Sequence, residues 1–146
     1  YLPFKAKDNT EALLFKNAVD ETNSINPLRL LIVEDDPVSL LFLRELLDEK
    51  GYRFDVATTG EEGLMKVKMD KYDVILMDVR LPDADGLEIV KEIRKFNREV
   101  KIIAQTAYAL DTDEVAALTA GCNDFIAKPI NAEVLLGKIS RQTQDV

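Results

Sequence analysis

The chain of 146 residues has no histidine and only one cysteine, Cys122. The absence of histidine excludes Ser-His and Cys-His catalysis and histidine-rich zinc sites. A single cysteine cannot form an internal disulfide, which fits a reducing compartment, so we expect a cytoplasmic location and a packing role for Cys122. No apolar run approaches the ~20 residues that cross a bilayer, so we expect no membrane insertion by this segment.

The chain also lacks an excess of positive charge. It has 19 lysine and arginine residues against 27 aspartate and glutamate residues, for a formal net charge of −8. Nucleic acids and anionic membranes attract basic surfaces, so we expect no direct binding to nucleic acid. Apolar residues make up 47% of the chain, which is enough for a globular domain with a substantial core.

Strand-like and helix-like segments alternate five times after residue 27. Strand patterns occur at 28–33, 52–60, 73–78, 100–106 and 124–128, and helical patterns at 38–51, 61–71, 86–96, 111–121 and 131–142. This alternation predicts an α/β fold, with helices on both faces of a parallel sheet. The more polar residues 1–26, with a weak helical pattern, are interpreted as a linker before a domain at 27–146.

Polar side chains follow four of the predicted strands at the point where each strand ends. The first strand is followed by Glu34, Asp35 and Asp36, the third ends at Asp78, the fourth at Thr106 and the fifth at Lys128. Each residue alone has an ordinary interpretation, such as a loop charge or a helix cap. In an open parallel sheet, however, the carboxyl ends of the strands lie along one edge, where ligands bind. The coincidence therefore favours a shared site.

Carboxylates gathered on one edge repel one another unless a cation lies among them. Pockets rich in carboxylates suit a hard cation such as Mg²⁺. A lysine and a threonine facing that cation would add positive charge and a hydroxyl donor, which completes a site for a phosphoryl group. Asp78 is accordingly predicted to be a metal ligand, a nucleophile that forms an aspartyl phosphate, or both.

Several stretches, in their order along the chain, resemble the receiver domain of two-component response regulators. They are LIVEDDPVS, DVILMDVRLPDADGLE, IIAQTAYA and AGCNDFIAKPI, and the resemblance covers about residues 28–142. It implies a doubly wound (βα)5 flavodoxin-like three-layer sandwich with strand order 2-1-3-4-5. It also implies a signalling switch that catalyses its own phosphotransfer and dephosphorylation, and that receives its phosphoryl group from phosphohistidine.

The resemblance implies roles for four residues in this switch. Asp78 would be the phosphoacceptor, and Lys128 and Thr106 would each contact a phosphate oxygen. Phe125 would be the aromatic switch residue that turns inward as Thr106 moves. A cis peptide bond between Lys128 and Pro129 would direct the lysine at the phosphate.

The resemblance also implies the metal ligands and the lifetime of the phosphorylated state. Asp35 and Asp78 would bind Mg²⁺ together with the backbone carbonyl of Arg80, and Glu34 would act mostly through water. Arg80 and Tyr108 would flank the path of the hydrolytic water. Both side chains are large, so we expect them to exclude water and to give a long-lived phosphorylated state.

The opening residues YLPFK resemble the last strand of the ATP-binding domain of sensor histidine kinases. This resemblance predicts the C-terminal receiver of a hybrid histidine kinase, whose full chain could be anchored in a membrane. The expected partner is the phosphohistidine domain of a sensor kinase or a histidine phosphotransfer protein.

Two other classes of protein are consistent with a phosphate site at the end of such a sheet. A magnesium-dependent phosphohydrolase with an aspartate nucleophile would need a second acid close to it, as in Asp-x-Asp. Val79 and Arg80 follow Asp78, which argues against this alternative. A flavin- or nucleotide-binding module would need a loop rich in glycine, serine or threonine after the first strand, and EDDPVS has the opposite charge character.

Overall fold

The computed structural model of the chain describes residues 4–5, 7–8, 28–107 and 110–143. The main sheet has five strands: β1 (Arg29–Val33), β2 (Arg53–Ala57), β3 (Val74–Asp78), β4 (Lys101–Thr106) and β5 (Asp124–Ala127). The helices of the domain are α1 (Pro37–Glu49), α2 (Gly60–Met69), α3 (Gly86–Arg94), α4 (Asp111–Ala120) and α5 (Ala132–Gln142). Two further strands of two residues each, Phe4–Lys5 and Lys7–Asp8, pair with each other. Most of the predicted linker, 1–26, lies outside the described residues.

The five strands are all parallel and lie in the order β2-β1-β3-β4-β5. The strand order 2-1-3-4-5 and the alternation of strands with helices are both confirmed. Since the chain continues from β1 to β2 on one side and then to β3 on the other, the order reverses at β1. In open α/β sheets this reversal leaves a crevice at the carboxyl ends of the strands, next to β1 and β3.

The sheet is buried on both faces, and β3 is buried at every position. Alternate side chains of a strand point to opposite faces, so each strand contributes to two cores. One core includes Leu31, Ile75 and Ile102 and is covered by α2, α3 and α4, whereas the other includes Leu30, Leu76 and Ile103 and is covered by α1 and α5. Cys122 is buried in the first core, as predicted. Within the described residues, no helix has both the length and the apolar character needed to cross a membrane.

Two short loops fix the backbone around the carboxyl end of the sheet. After β1, Asp36 caps α1 by accepting a hydrogen bond of 2.8 Å from the backbone of Ser39. After β3, the chain folds back so that Gly86 donates a 2.7 Å hydrogen bond to the carbonyl of Val79. A Cβ at Gly86 would overlap the backbone carbonyl oxygen of Asp78, so this close approach requires glycine.

Candidate functional site

The carboxylates of Glu34, Asp35 and Asp78 meet at the crevice between β1 and β3, with ligand oxygens all within 4.8 Å of one another. Glu34 is fully buried and Asp78 is 5% exposed. Asp35 is exposed to solvent. This geometry follows from the sheet, because the ends of neighbouring parallel strands bring residues that are distant in sequence to one place.

Lys128 extends from the end of β5 across β4 to this acidic cluster. Its Nζ lies 2.9 Å from Oε1 of Glu34 and 3.3 Å from Oδ2 of Asp78. Burial lowers the pKa of Lys128, but its interactions with Glu34 and Asp78 outweigh this effect, so the pKa lies above the usual 10.5. The peptide bond between Lys128 and Pro129 is cis, as predicted.

Burial also acts on the acids of the cluster. It raises the pKa of Glu34 above the usual 4.5, and the hydrogen bond from Lys128 opposes this effect only in part. Backbone amides hold the carboxylates in place: that of Asp36 donates to Glu34 over 3.0 Å, and that of Arg80 donates to Asp78 over 3.1 Å. Three carboxylates facing one ammonium leave the cluster negative, so an additional cation there would be stabilised.

A pocket of about 180 Å³ opens beside the cluster, and its lining residues are Asp78, Val79, Arg80, Thr106, Ala107, Asp113 and Lys128. Thr106 and Lys128 therefore face the same space as Asp78. A smaller cavity of about 40 Å³ lies next to this pocket and is lined by Thr106 and Phe125 among others. Tyr108, the second residue predicted to flank the water path, lies outside the described residues.

A comparison of the sequence with known families gives a match to the model of the response regulator receiver domain over residues 30–140. The chain belongs to this family. It is therefore a receiver domain of two-component signalling, with the flavodoxin-like fold that the resemblance implies.

Three relatives of this chain come from different kinds of protein: a transcriptional regulatory protein, a sensor histidine kinase and a response regulator. The transcriptional regulatory protein DltR of Streptococcus agalactiae is 38% identical over 117 residues, which are 80% of this chain and 52% of DltR. The receiver domain of sensor histidine kinase PA1611 from Pseudomonas aeruginosa, with a magnesium ion in its active site cleft, is 38% identical and superposes with a TM-score of 0.74 over 80% of this chain and 98% of that one.

The third relative comes from a co-crystal structure of the Saccharomyces cerevisiae phosphotransfer protein Ypd1 and the receiver domain of Ssk1. It is 31% identical with a TM-score of 0.76, over 79% of this chain and 88% of that one. The chain spans about half the length of the first curated relatives that it matches, such as DltR with 52%.

Two residues near the site have buried polar atoms that are not predicted from the sequence. Both polar side-chain atoms of Gln105 and Oδ2 of Asp113 are buried and have no hydrogen-bond partner within the described part of the chain. Gln105 is visible in the sequence as a polar residue inside the apolar run of β4. Asp113 is one of three acids in the first turn of α4, and nothing in the sequence distinguishes it from the other two.

Proposed function

We propose that this receiver accepts a phosphoryl group from phosphohistidine on Asp78. The observation that carries the proposal is the position of the Asp78 carboxylate, which is 5% exposed, lines the pocket and lies 3.3 Å from the ammonium of Lys128. In the transfer, an oxygen of Asp78 attacks phosphorus and the bond from phosphorus to the donor imidazole breaks. The bonding electron pair returns to the imidazole nitrogen.

Lys128 and Thr106 stabilise the product of this transfer. A phosphoryl group adds roughly −1.5 to −2 units of charge beside carboxylates that are already negative. Lys128 lines the pocket and its ammonium can turn from Asp78 towards a phosphoryl oxygen. The Thr106 hydroxyl, on the neighbouring strand, can donate a hydrogen bond to a second oxygen.

The acidic cluster fits a magnesium ion. Its three carboxylates offer oxygen ligands within 4.8 Å of one another, and the exposure of Asp35 leaves a route from solvent. We assign Asp35, Asp78 and the carbonyl of Arg80 as ligands, with Glu34 acting through water. Bound magnesium supplies positive charge against the phosphoryl oxygens. The magnesium ion in the cleft of the PA1611 receiver supports this assignment.

Thr106 and Phe125 form the proposed switch. They line the same cavity of about 40 Å³, which is too small to accept a phenyl ring unless its walls move. As Thr106 shifts towards the phosphoryl group, the space that it leaves becomes available to Phe125. The position of the Phe125 ring therefore reports the state of Asp78 on the surface around α4 and β5.

The proposed phosphodonor docks on α1. Val38, Leu41 and Phe42 are exposed apolar residues of this helix, and Val38 and Phe42 line a groove of about 290 Å³ together with Lys128. A donor must cover this region to bring its imidazole to Asp78, because the groove and the pocket share Lys128. The complex of Ypd1 with the Ssk1 receiver supports a phosphotransfer protein or a kinase phosphohistidine domain as the partner.

The proposed context is the C-terminal receiver of a hybrid histidine kinase in the cytoplasm, with a linker at 1–26 and the receiver at 27–146. The resemblance of YLPFK to the end of a kinase domain supports it, as does the similarity to the receiver of the PA1611 sensor kinase. A kinase core preceding residue 1 in the full-length protein is the expected finding.

Phosphorylation with acetyl phosphate and magnesium, followed by intact-mass measurement, tests the proposed function. We expect one acid-labile phosphoryl adduct on the wild-type protein and none on Asp78→Asn. Asp48→Asn is the control, since Asp48 is an exposed carboxylate on α1, and it should carry the same adduct as the wild type. An adduct of equal amount on Asp78→Asn would overturn the assignment.

A further inference from the structure

Asp113 places a second carboxylate in the pocket of Asp78. It lies in the first turn of α4 and lines both the pocket of about 180 Å³ and the smaller cavity behind Thr106. Its Oδ2 atom is buried and has no hydrogen-bond partner among the described residues. A buried carboxylate oxygen without a donor is costly, and Asp113 lines the pocket, so a small rotation of its side chain that brings this oxygen to a donor in the pocket would be stabilised.

Asp113 is separate from the acidic cluster. It lies in the first turn of α4, whereas Glu34 follows β1 and Lys128 follows β5. The ligand oxygens of Glu34, Asp35 and Asp78 lie within 4.8 Å of one another and could share a cation. Among the described residues, Asp113 does not belong to this group. Lys128 pairs with Glu34 and Asp78, and no ion pair joins it to Asp113 within the described residues.

The chemistry of the pocket restricts what Asp113 can bind. An ionised carboxylate only accepts hydrogen bonds, and it repels the negative oxygens of a phosphoryl group. Water is the reactant of the site that can donate a hydrogen bond to it. A pocket of about 180 Å³ holds a phosphoryl group together with a water, whose share of liquid volume is ~30 Å³.

We propose that Asp113 is a catalytic residue for the hydrolysis of phosphorylated Asp78, a role that rests on the proposed function. Asp113 accepts a hydrogen bond from the attacking water and then takes its proton. The water oxygen forms a bond to phosphorus, the bond from phosphorus to the Asp78 oxygen breaks, and its electron pair returns to the Asp78 carboxylate. Inorganic phosphate leaves, and the proton on Asp113 passes to solvent.

This role opposes the one expected for Arg80. The exposed side chain of Arg80 lines the same pocket and, with Tyr108, is expected to shield the phosphoryl group from water. Asp113 instead orients the water that attacks phosphorus. The lifetime of the phosphorylated state is then set by the balance between a residue that excludes water and one that orients it.

The loss of phosphate from phosphorylated protein tests the proposal. Wild type, Asp113→Asn and Asp111→Asn are phosphorylated with acetyl phosphate and magnesium, the donor is removed, and the adduct is followed by intact mass. Asp111 is an exposed acid of the same helical turn that lines neither cavity, so its variant controls for the loss of one charge at the start of α4. We expect the loss of phosphate to be about tenfold slower in Asp113→Asn and unchanged in Asp111→Asn. A positioned base contributes ~10²–10⁴-fold to a rate, but phosphoryl transfer has a loose transition state in which the attacking water needs less help from a base. The expected change in rate is therefore below that range.

The solvent isotope effect separates proton transfer from a structural effect. We expect deuterium oxide to slow phosphate loss in the wild type, and this isotope effect to fall in Asp113→Asn. Loss from Asp113→Asn at the wild-type rate or faster, or with an unchanged isotope effect, would overturn the role of Asp113 while leaving Asp78 as the phosphoacceptor. If the wild type takes up no phosphoryl group, the proposed function fails and the role of Asp113 fails with it.

Discussion

Lys128 donates a 2.9 Å hydrogen bond to the fully buried carboxylate of Glu34, which is 94 residues away in the chain. The lysine side chain is about one quarter exposed, at 24%, whereas the glutamate side chain is not exposed at all. The pair therefore connects β5 to β1 across the two strands between them. Removing either charge leaves the other in a site that solvent reaches poorly.

Lys128→Met is expected to lower the free energy of unfolding by about 3 kcal/mol in the absence of metal, because it leaves Glu34 and Asp78 without their cation. Urea unfolding at neutral pH with a chelator present measures this change. In the double variant Glu34→Gln with Lys128→Met, most of the loss should be recovered, since the buried charge is removed as well. Wild-type stability in the single variant would show that the pair does not stabilise the fold.

Gly86→Ala is expected to lower the free energy of unfolding by about 3 kcal/mol or more, since a Cβ at this position overlaps the backbone carbonyl of Asp78. It should also reduce phosphorylation, because the Asp78 backbone must shift to relieve the overlap. Gly137→Ala is the matched control: Gly137 lies inside α5 and a Cβ there meets nothing within 4 Å. This second change should stabilise the protein by up to about 1 kcal/mol. Equal effects of the two substitutions would contradict the close approach.

The interactions of Asp55 are expected to make the fold less stable in acid, independently of the phosphate site. The Tyr72 hydroxyl donates a 2.7 Å hydrogen bond to Asp55 and Arg29 donates one of 2.8 Å, and these interactions hold the pKa of Asp55 below the usual 3.8. Stability from a lowered pKa is present above the unfolded value and is lost as pH falls through the folded value.

The thermal midpoint, measured from pH 7 to pH 2, should therefore fall below about pH 3.8. The part of this fall that Asp55 contributes should be smaller in Tyr72→Phe and absent in Asp55→Asn. Phosphorylation of Asp78 should stay at the wild-type level in both variants, because neither Asp55 nor Tyr72 lines the pocket. An acid transition of the same size in Asp55→Asn would assign it to other carboxylates.

The sheet and the acidic cluster could be predicted because both follow from the periodicity of the chain. Each apolar run marks a strand, and the residue that ends the run is placed at the carboxyl edge by the parallel topology. Asp78 illustrates this: it ends a run that is buried at every position, so its location is a property of the strand. For Lys128 and Glu34, the sequence could predict only that the two residues lie close together. The hydrogen bond between them depends on how the flexible lysine side chain crosses β4.

Asp113 and Gln105 could not be predicted for different reasons. Acidic residues in the first turn of a helix are common because they interact favourably with the helix dipole. Which of them faces the pocket depends on the rotation of α4 about its axis, and α4 is weakly amphipathic, with only Ala117 and Ala120 buried. Gln105 is conspicuous in the sequence, but the partners of a buried amide depend on side chains from several elements.

Gln105→Met is expected to raise the free energy of unfolding. Gln105 pairs in register with Asp78, is fully buried and shares a sheet face with Ile103, by the alternation of β4. Its amide nitrogen and oxygen have no hydrogen-bond partner within the described residues. A buried polar group without a partner costs ~1–3 kcal/mol, and methionine has a similar shape without those atoms, so the gain should be about 1 kcal/mol or more.

Urea unfolding measures this gain in stability. The control is Gln142→Met, at a partly exposed position, which should change stability by less than about 0.5 kcal/mol. A loss of stability in Gln105→Met would mean that the amide is hydrogen-bonded in solution, and that it stabilises the strand beside Asp78.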